Sequence, residues 1–291
     1  MKEFKFNPIR RILVPTDFSS NAGGAVNYAA ALAARLGSRL LLFHSVHVPV
    51  NVTTESGEVI SNSLLLENSL AQLNALKNKI AEQYQGLHIE VLNSLGFAVE
   101  EIIGLCASKE ADLIVMGTKG AHGLGEILIG SNTAEVITRS RCPVLAVPLE
   151  AGMMGIRKVL FATNYADQDF KSIFLLTEIF KPWNPEIVIV HSEDGGNAGV
   201  ENSQFEWFKG QVMTSISYDK FNFNLISGKN TEQAISEFAK ENGVDIISVS
   251  TRRRNLFEKL TSRSTSRKLA YHTDIPLLAF HAEPGESNSL F

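Results

Sequence analysis

Residues Asp112 to Pro148 read DLIVMGTKGAHGLGEILIGSNTAEVITRSRCPVLAVP, and this stretch decides the fold. An uninterrupted apolar run, Leu113 to Met116, is followed by a glycine-rich loop and then by Gly130 to Thr133, a composition typical of a helix start. Glycine lets a ligand approach bare backbone, and the first turn of a helix presents unpaired N–H groups at its positive dipole end. The stretch therefore predicts a strand, a glycine loop and a helix N-terminus in series, with an anionic ligand such as a nucleotide phosphate at the loop.

Length and composition indicate the broad class of the protein. The chain has 291 residues, which suits two domains of ordinary size better than one. Hydrophobic residues make up 44% and charged residues 20%, so each half can form its own core. The formal net charge of -4 gives no overall attraction to nucleic acid or to an acidic membrane surface, and no apolar run is long enough to span a membrane. We therefore expect a soluble, cytoplasmic protein with neither nucleic acid nor a membrane as a partner.

The two cysteines fit a cytoplasmic location. Cys106 lies in an apolar helical pattern, Cys142 directly precedes a strand, and neither belongs to a CxxC or Cys/His pattern. We predict that both are reduced thiols in or near the core.

Strands and helices alternate through the first half of the chain. The predicted strands are Arg11–Pro15, Arg39–Val46, His88–Asn93, Asp112–Met116 and Pro143–Val147, and the predicted helices are Asn21–Leu36, Leu64–Tyr84, Ala98–Lys109 and Ser131–Ser140. Such alternation predicts an α/β fold: a doubly wound parallel sheet in a Rossmann-like α/β/α sandwich, with ligands bound beyond the carboxyl ends of the strands. Because Asp17 and Gly117 closely follow the first and fourth strands, we expect both to face one crevice.

The segment Pro49–Ser63 interrupts this alternation. It contains turn and cap residues without a sustained period, which predicts an irregular excursion near the site, in the position of a lid. The helix that follows is expected to bury one face, formed by Leu66, Leu70, Leu73 and Ile80.

The second half of the chain repeats the first. After a break at Leu149–Ile156, four segments echo earlier ones in order: Arg157–Tyr165 echoes Arg10–Phe18, Glu186–Ser192 echoes Arg39–Ser45, Asp245–Val249 echoes Asp112–Met116, and Asp274–Phe280 echoes Arg141–Val147. We therefore predict two copies of one domain, at residues 1–150 and 151–282, and a tail at residues 283–291.

The two copies differ where a ligand would bind. In register, Gly117, Gly120 and Gly130 become Ser250, Arg253 and Arg263, while Asp17 becomes Asn164, Pro15 becomes Ala162, and Ser131 is kept as Ser264. Arginine side chains at two positions of close approach would obstruct a phosphate that lies on the backbone. We expect the first copy to bind a ligand and the second to have lost this mode of binding.

The spacing Gly117-x2-Gly120-x9-Gly130-Ser131, with Val14–Asp17 after the first strand and Cys142–Val147 at the last, resembles the universal stress protein family. Over nearly its full length the chain is similar to a tandem member of that family. The resemblance implies a five-stranded parallel sheet of order 3-2-1-4-5 in each copy. It also implies that a copy with this glycine pattern binds ATP. We add Mg²⁺ as an optional companion ion of the nucleotide.

The resemblance implies a role for each motif residue. Adenine and ribose would be surrounded by residues that follow the first two strands: Pro15, Thr16, Asp17, Ser45 and Val46. Met116 and Gly117 would line the ribose side, and the phosphates would be held by Gly120, Gly130, Ser131 and Asn132. Family members often have an aliphatic residue where this chain has Asn132, which either adds a polar contact or caps the helix.

Structural explanations stand beside these functional ones. Glycines are common in loops that precede a helix, with or without a ligand. Asp17 taken alone would be a helix cap, and a loop histidine such as His122 is usually solvated. His44 and His191 stand at repeated strand ends, where packing is the simpler role. The cationic segment 252–268 forms either a solvated face or a site for another anion, and it lacks the interleaved aromatic residues of a nucleic-acid platform.

Three functions are compatible with the sequence. The loop has no Gly-Lys-Ser/Thr element and the chain has no obvious catalytic set, which favours a stress-response regulatory protein that binds ATP in its first copy and is at most a weak ATPase. An adenylating enzyme is a weaker alternative, because no substrate domain or nucleophile is evident. A nucleotide-independent interaction module would use the fifth strands, Val144–Val147 and Leu277–Phe280, for an internal pseudo-dimer or a homodimer.

Overall fold

The computed structural model describes residues 6–47, 62–108, 110–118, 130–152, 155–193, 198–228, 231–251 and 275–281. The chain divides into two compact units, one formed mainly by residues 9–152 and the other mainly by residues 153–291. They are called the amino-terminal and the carboxy-terminal unit below. Gly120, His122, the cationic segment 252–268 and all but the last two residues of the predicted excursion Pro49–Ser63 lie outside the described residues.

The amino-terminal unit alternates strands and helices. Its strands are β1 (Arg11–Pro15), β2 (Arg39–Val46), β3 (Ile89–Leu95), β4 (Leu113–Gly117) and β5 (Val144–Val147), and its helices are α1 (Ser20–Leu36), α2 (Asn62–Gln83), α3 (Ala98–Ala107) and α4 (Ser131–Arg139). Neighbouring strands pair in parallel in the order β3-β2-β1-β4-β5. The predicted order 3-2-1-4-5 is confirmed, and the strand order reverses between β1 and β4, where open α/β sheets bind ligands.

The carboxy-terminal unit has the same topology. Its elements are β6 (Lys158–Ala162), α5 (Asp167–Phe180), β7 (Glu186–Glu193), α6 (Ala198–Ser215), β8 (Phe221–Ser227), α7 (Thr231–Glu241), β9 (Ile246–Thr251) and β10 (Leu277–His281). Parallel pairing gives the order β8-β7-β6-β9-β10, which is again 3-2-1-4-5 within the unit. The predicted fold class and the predicted repeat are therefore both confirmed.

Burial on both faces explains the continuous apolar runs of the central strands. Ile12, Leu13 and Val14 of β1 have no exposed surface, because helices cover both faces of a doubly wound sheet. The alanine-rich composition of α1 has the same origin, since Ala25 and Ala29 are fully buried and α1 packs on β1, β2 and β4. Small side chains allow this helix to lie close to the strands that carry the candidate site.

The predicted buried face of α2 is partly wrong. Leu73 and Ile80 are 0% and 2% exposed as expected, but Leu70 is 40% exposed while Ser69 is 3% exposed. The helix packs on β2 and β3, and its buried stripe passes through Ser69, one residue away from the predicted stripe. Hydrophobicity alone selected the leucine, whereas the direction of the helix over the sheet decides which side chain faces inward.

One carboxylate fixes the amino edge of each sheet. Asp112 Oδ2 accepts hydrogen bonds from the backbone N–H groups of residues 10 and 11, each at 2.9 Å. Asp245 Oδ2 accepts in the same way from residues 157 and 158, at 2.7 and 2.9 Å. These aspartates, which precede β4 and β9, therefore have a structural role at the edge opposite to the one where a ligand would bind.

The two cysteines form a disulfide, Cys106 to Cys142, and our prediction of reduced thiols is wrong. They are 36 residues apart in sequence, but α3 and α4 pack together and bring the two Cα atoms to 6.1 Å. The cysteines therefore no longer support a cytoplasmic location, which stays a prediction. Within the described ranges, no helix combines the length and the apolar character needed to cross a membrane.

Candidate functional site

A tight turn after β1 brings Thr16 and Asp17 to the carboxyl edge of the sheet. The Thr16 N–H donates to the Phe43 carbonyl at 2.8 Å, and the Phe18 N–H donates to Thr16 Oγ1 at 3.0 Å. Phe18 takes a positive φ of 61°, which turns the chain into α1. The N-cap of α1 is Ser19, so Asp17 is an exposed turn residue and the helix-cap interpretation of Asp17 is wrong.

The end of β2 is tied to the turn that follows β3. Ser45 Oγ donates to the Gly96 carbonyl at 2.7 Å, and the Gly96 N–H donates to the Val46 carbonyl at 3.1 Å. His44 Nδ1 lies 2.7 Å from the carbonyl oxygen of Thr16, so this histidine braces the strand end. The Ser45 hydroxyl is thus used to hold the edge of the sheet together.

Hydrogen bonds also close the base of the glycine loop. The Gly130 N–H donates to the Thr118 carbonyl, and Thr133 Oγ1 donates to the Gly117 carbonyl at 2.8 Å. Thr133 is 4% exposed and holds the first turn of α4 against the end of β4. Reasoning from the sequence missed Thr133 as a positioning residue, although a threonine inside the first turn after a Gly-Ser pair was the available signal.

The helix α4 begins without a side-chain cap. Its N-cap is Gly130, which has no side chain and therefore makes no side-chain capping hydrogen bond. Ser131 and Asn132 are exposed in the first turn, so Asn132 is not the cap that one interpretation expected. In α1, by contrast, Ser19 Oγ accepts from the Ala22 N–H at 3.2 Å. The first turn of α4 therefore offers a partial positive charge that suits an anion.

These elements gather most of the predicted site residues along one edge. Pro15, Thr16 and Asp17 follow β1, while Met116 and Gly117 end the neighbouring strand β4, beside the α4 start at Gly130, Ser131 and Asn132. Ser45 and Val46 lie one strand further, at the end of β2. Met116 is 7% exposed, so its side chain belongs mostly to the core. Among the described residues, no three His, Cys, Asp or Glu side chains are grouped to hold a metal ion.

The equivalent crevice of the carboxy-terminal unit contains a buried carboxylate. Asp169, in the first turn of α5, is 1% exposed. Its Oδ2 accepts a hydrogen bond from Thr163 Oγ1 at 2.7 Å and from the backbone N–H groups of Asn164 and Ala166 at 3.3 and 3.2 Å. The carboxylate therefore lies directly beneath the turn after β6, the turn that corresponds to Thr16 and Asp17 in the first unit.

Two serines complete the Asp169 cluster, which consists of Asp169, Thr163, Ser172 and Ser250. The hydroxyls of Ser172 and Ser250 share a hydrogen bond of 2.8 Å, and the Ser250 hydroxyl also hydrogen bonds to Asp169. Burial raises the pKa of Asp169 above its ordinary value, although the hydrogen bonds from Thr163 and Ser250 oppose this shift. The cluster satisfies its polar groups internally.

The two crevices differ at three positions that correspond in register. The positions of Asp169, Ser172 and Ser250 are held by Ala22, Ala25 and Gly117 in the amino-terminal unit. Three small residues of the first copy thus correspond to three polar residues of the second, and this joint difference was the sequence signal that our reasoning missed. The obstruction that we predicted from Arg253 and Arg263 lies outside the described residues, whereas the Asp169 cluster lies within them, beneath the turn that follows β6.

Comparisons with known proteins extend these observations. The profile of the universal stress protein family matches residues 8–148 and 225–281. A universal stress protein of Methanocaldococcus jannaschii is 34% identical over 143 residues, which cover 48% of this chain and 83% of that protein. Another, from Synechocystis sp., is 24% identical over 295 residues, which cover 94% of this chain and 100% of that protein. The crystal structure of a universal stress protein from Archaeoglobus fulgidus matches with a TM-score of 0.68 at 21% identity, covering 93% of this chain and 96% of that one.

The fold and the matches define the class of the protein as a tandem of two Rossmann-like α/β domains. The chain belongs to the universal stress protein family. The profile matches the amino-terminal unit almost completely but the carboxy-terminal unit only from residue 225 onward. The unmatched part includes β6, Thr163 in the turn that follows it, and α5, which carries Asp169.

Proposed function

We propose that the amino-terminal unit binds ATP at the carboxyl ends of β1 and β4, and that the chain is a regulatory protein of the stress response whose state depends on nucleotide. The glycine-capped start of α4, held beside Gly117 by Thr133, is the observation that carries this proposal. An anion at this position would receive hydrogen bonds from the first-turn N–H groups and the favourable end of the helix dipole. The family context and the strand topology favour a nucleotide among possible anions.

In this proposal the phosphates, the ribose and the base of the nucleotide each contact a different part of the sheet edge. The phosphates lie over the first turn of α4, where the Ser131 hydroxyl is exposed and available as a further donor. The ribose lies between Asp17 and Gly117, because a carboxylate accepts hydrogen bonds from sugar hydroxyls but repels phosphate oxygens. The base then extends along the edge towards β2.

The proposal includes slow hydrolysis of the nucleotide, or none. Phosphoryl transfer needs positive charge on the transferring group and a positioned nucleophile. The described residues along the crevice supply hydroxyls, one exposed carboxylate and backbone, without a lysine or arginine side chain among them. A bound nucleotide would therefore persist and report the ATP concentration, with Mg²⁺ carried by the nucleotide itself.

The decisive experiment places a charge on the helix start. Gly130→Asp would cap α4 with a carboxylate, because aspartate is a preferred N-cap and the backbone of Gly130, with φ at -60°, suits any residue. The carboxylate would satisfy the helix and repel phosphate, so we expect an affinity for ATP at least about tenfold weaker, without a loss of thermal stability. Isothermal calorimetry with and without Mg²⁺ measures the affinity.

Gly130→Asn is the matched control, since it adds a cap of the same shape without the charge. We expect this variant to bind ATP more tightly than Gly130→Asp. Absence of ATP binding by the wild-type protein, or equal affinity in the wild type and Gly130→Asp, would show that the proposed site is wrong.

A further inference from the structure

An aromatic side chain stands exposed at the end of β3. Phe97 is 65% exposed, and its ring centroid lies 5.1 Å from that of His47, which follows β2. The two rings are tilted by 37°. Single exposed hydrophobic residues are common on protein surfaces, but this one is paired with a second ring and stands on the ligand-binding edge of the sheet.

The backbone holds Phe97 firmly in this position. The preceding residue, Gly96, has a φ of 157° and is bonded on both sides, by Ser45 Oγ to its carbonyl and through its N–H to Val46. The carbonyl of Phe97 accepts from the Glu101 N–H at 3.1 Å at the start of α3. The turn that carries the ring is therefore already fixed by hydrogen bonds. Stacking of a ligand on the ring would cost little backbone conformational entropy.

Phe97 lies at the right distance for the far end of a nucleotide. Neighbouring strands are about 4.8 Å apart, so the end of β3 lies roughly 10 Å from that of β1 and roughly 14 Å from that of β4. A nucleotide whose phosphates lie at α4 and whose ribose lies beside Asp17 would direct its base along the edge towards β2 and β3. Phe97 and His47 flank the end of that path.

The aromatic pair occurs only in the unit with the glycine pattern. In register, His47 corresponds to Asp194 and Phe97 to Lys229, so the second copy carries two charged residues in place of the two rings. The same copy has the Asp169 cluster in its crevice. The His47–Phe97 pair and the glycine pattern therefore both belong to the amino-terminal unit, and neither is repeated in register in the other copy.

We propose that Phe97, supported by His47, stacks on the base of the bound nucleotide and makes the site selective for nucleotides over free polyphosphate. This inference rests on the proposed function and names its base-recognition residue. An aromatic ring stacks on any base, so Phe97 provides affinity for a planar base without distinguishing adenine by hydrogen bonds. The inference therefore predicts that a ligand without a base gains nothing from Phe97.

The test compares ATP with tripolyphosphate. Stacking on one aromatic residue corresponds to roughly a five- to hundredfold change in affinity. We expect Phe97→Ala to weaken ATP binding by such a factor and to leave tripolyphosphate binding unchanged, and Phe97→Tyr to bind ATP like the wild type. Trp207→Ala is the matched control, because Trp207 is an exposed aromatic residue, at 53%, in the carboxy-terminal unit.

Fluorescence gives a second measurement. A purely structural role of Phe97 would not make the signal depend on which ligand is added. The indole introduced by Phe97→Trp should be quenched by ATP and not by tripolyphosphate, relative to the wild-type signal. Equal ATP affinity in the wild type and Phe97→Ala, or an equal loss for both ligands, would overturn the stacking role and leave the proposed function intact. A wild-type protein that binds neither ligand would overturn both.

Discussion

A single side chain, Asp169, shows how one residue changes what a crevice can accept. A carboxylate that is 1% exposed requires donors around it, and it finds them in Thr163, Ser250 and two backbone N–H groups. The residue at the same position of the first unit is Ala22, which is 7% exposed and whose methyl group needs no hydrogen-bond donors. The carboxy-terminal unit therefore has a buried carboxyl group where the amino-terminal unit has a methyl group.

The raised pKa of Asp169 predicts a pH dependence of stability. Between the unfolded and the folded pKa the folded state binds more protons, so the contribution of Asp169 is largest below the unfolded pKa and is lost as pH rises through the folded pKa. Asp169→Asn keeps an acceptor oxygen but cannot titrate. We expect the stability of the wild type relative to this variant to decrease as pH is raised above about 4, the ordinary pKa of an aspartate.

Denaturant unfolding of both proteins across this pH range measures the difference. Asp167→Asn, an exposed position in the same helical turn, is the control for the loss of one carboxylate. A relative stability of the wild type that increases with pH would contradict the raised pKa.

At the scale of elements, the candidate site depends on how α4 is held. This helix runs only from Ser131 to Arg139, and isolated helices of that length are not stable in water. Tertiary contacts must therefore fix it: Thr133 at its start, the 2.9 Å ion pair of Arg139 with Glu100 at its end, and the disulfide just beyond. The two tethers at the end of α4 join it to α3, so the uncapped N-terminus is presented by a braced helix pair.

Loss of the disulfide should destabilise the amino-terminal unit. The Cys106–Cys142 bond closes a loop of 36 residues, and its loss restores conformational freedom to the unfolded chain, for a cost of roughly 2 to 4 kcal/mol. We expect dithiothreitol to lower the unfolding midpoint of the wild type and to leave that of the Cys106→Ser, Cys142→Ser double variant unchanged. Thiol labelling of the denatured, unreduced wild type checks the bond itself, and two freely labelled thiols would contradict the structure.

At the scale of the whole molecule, one topology has been used twice with different carboxyl edges. The amino-terminal unit combines small residues, an uncapped helix start and an aromatic pair, whereas the carboxy-terminal unit has a self-satisfied polar cluster. The two units keep the same strand order and differ at the carboxyl edge, where residues outside the core are freer to vary. The association of the units, or of two chains, through β5 and β10 stays a prediction.

The difference between the units predicts one nucleotide per chain. Asp169 supplies negative charge and already accepts the hydrogen bonds of the donors around it, Thr163 Oγ1 and the Asn164 N–H. The second crevice should therefore not bind a phosphate ester. We expect calorimetry to give a stoichiometry close to one for the full chain. Two equivalent sites per chain, or a site that survives Gly130→Asp at full affinity, would show that the carboxy-terminal unit binds instead.

Sequence reasoning succeeded where the signal was local. β1 and β2 were predicted with the bounds that the structure has, because continuous apolar runs between turn residues are typical of strands covered on both faces. The strand order followed from the family resemblance. Apart from the helix caps expected of Asp17 and Asn132, the failures were tertiary: the disulfide, the rotated face of α2, the Thr133 bond and the Asp169 cluster.

The sequence by itself determined the two α/β units, the register of the repeat and the glycine pattern of the first unit, because these depend on hydrophobic period and on residue type at fixed spacing. Only the tertiary structure decided which side chains meet across helices and strands. Cys106 meets Cys142, Asp169 meets Ser250, and Phe97 meets His47, in pairs separated by dozens of residues. Such contacts depend on packing geometry, which spacing along the chain does not encode.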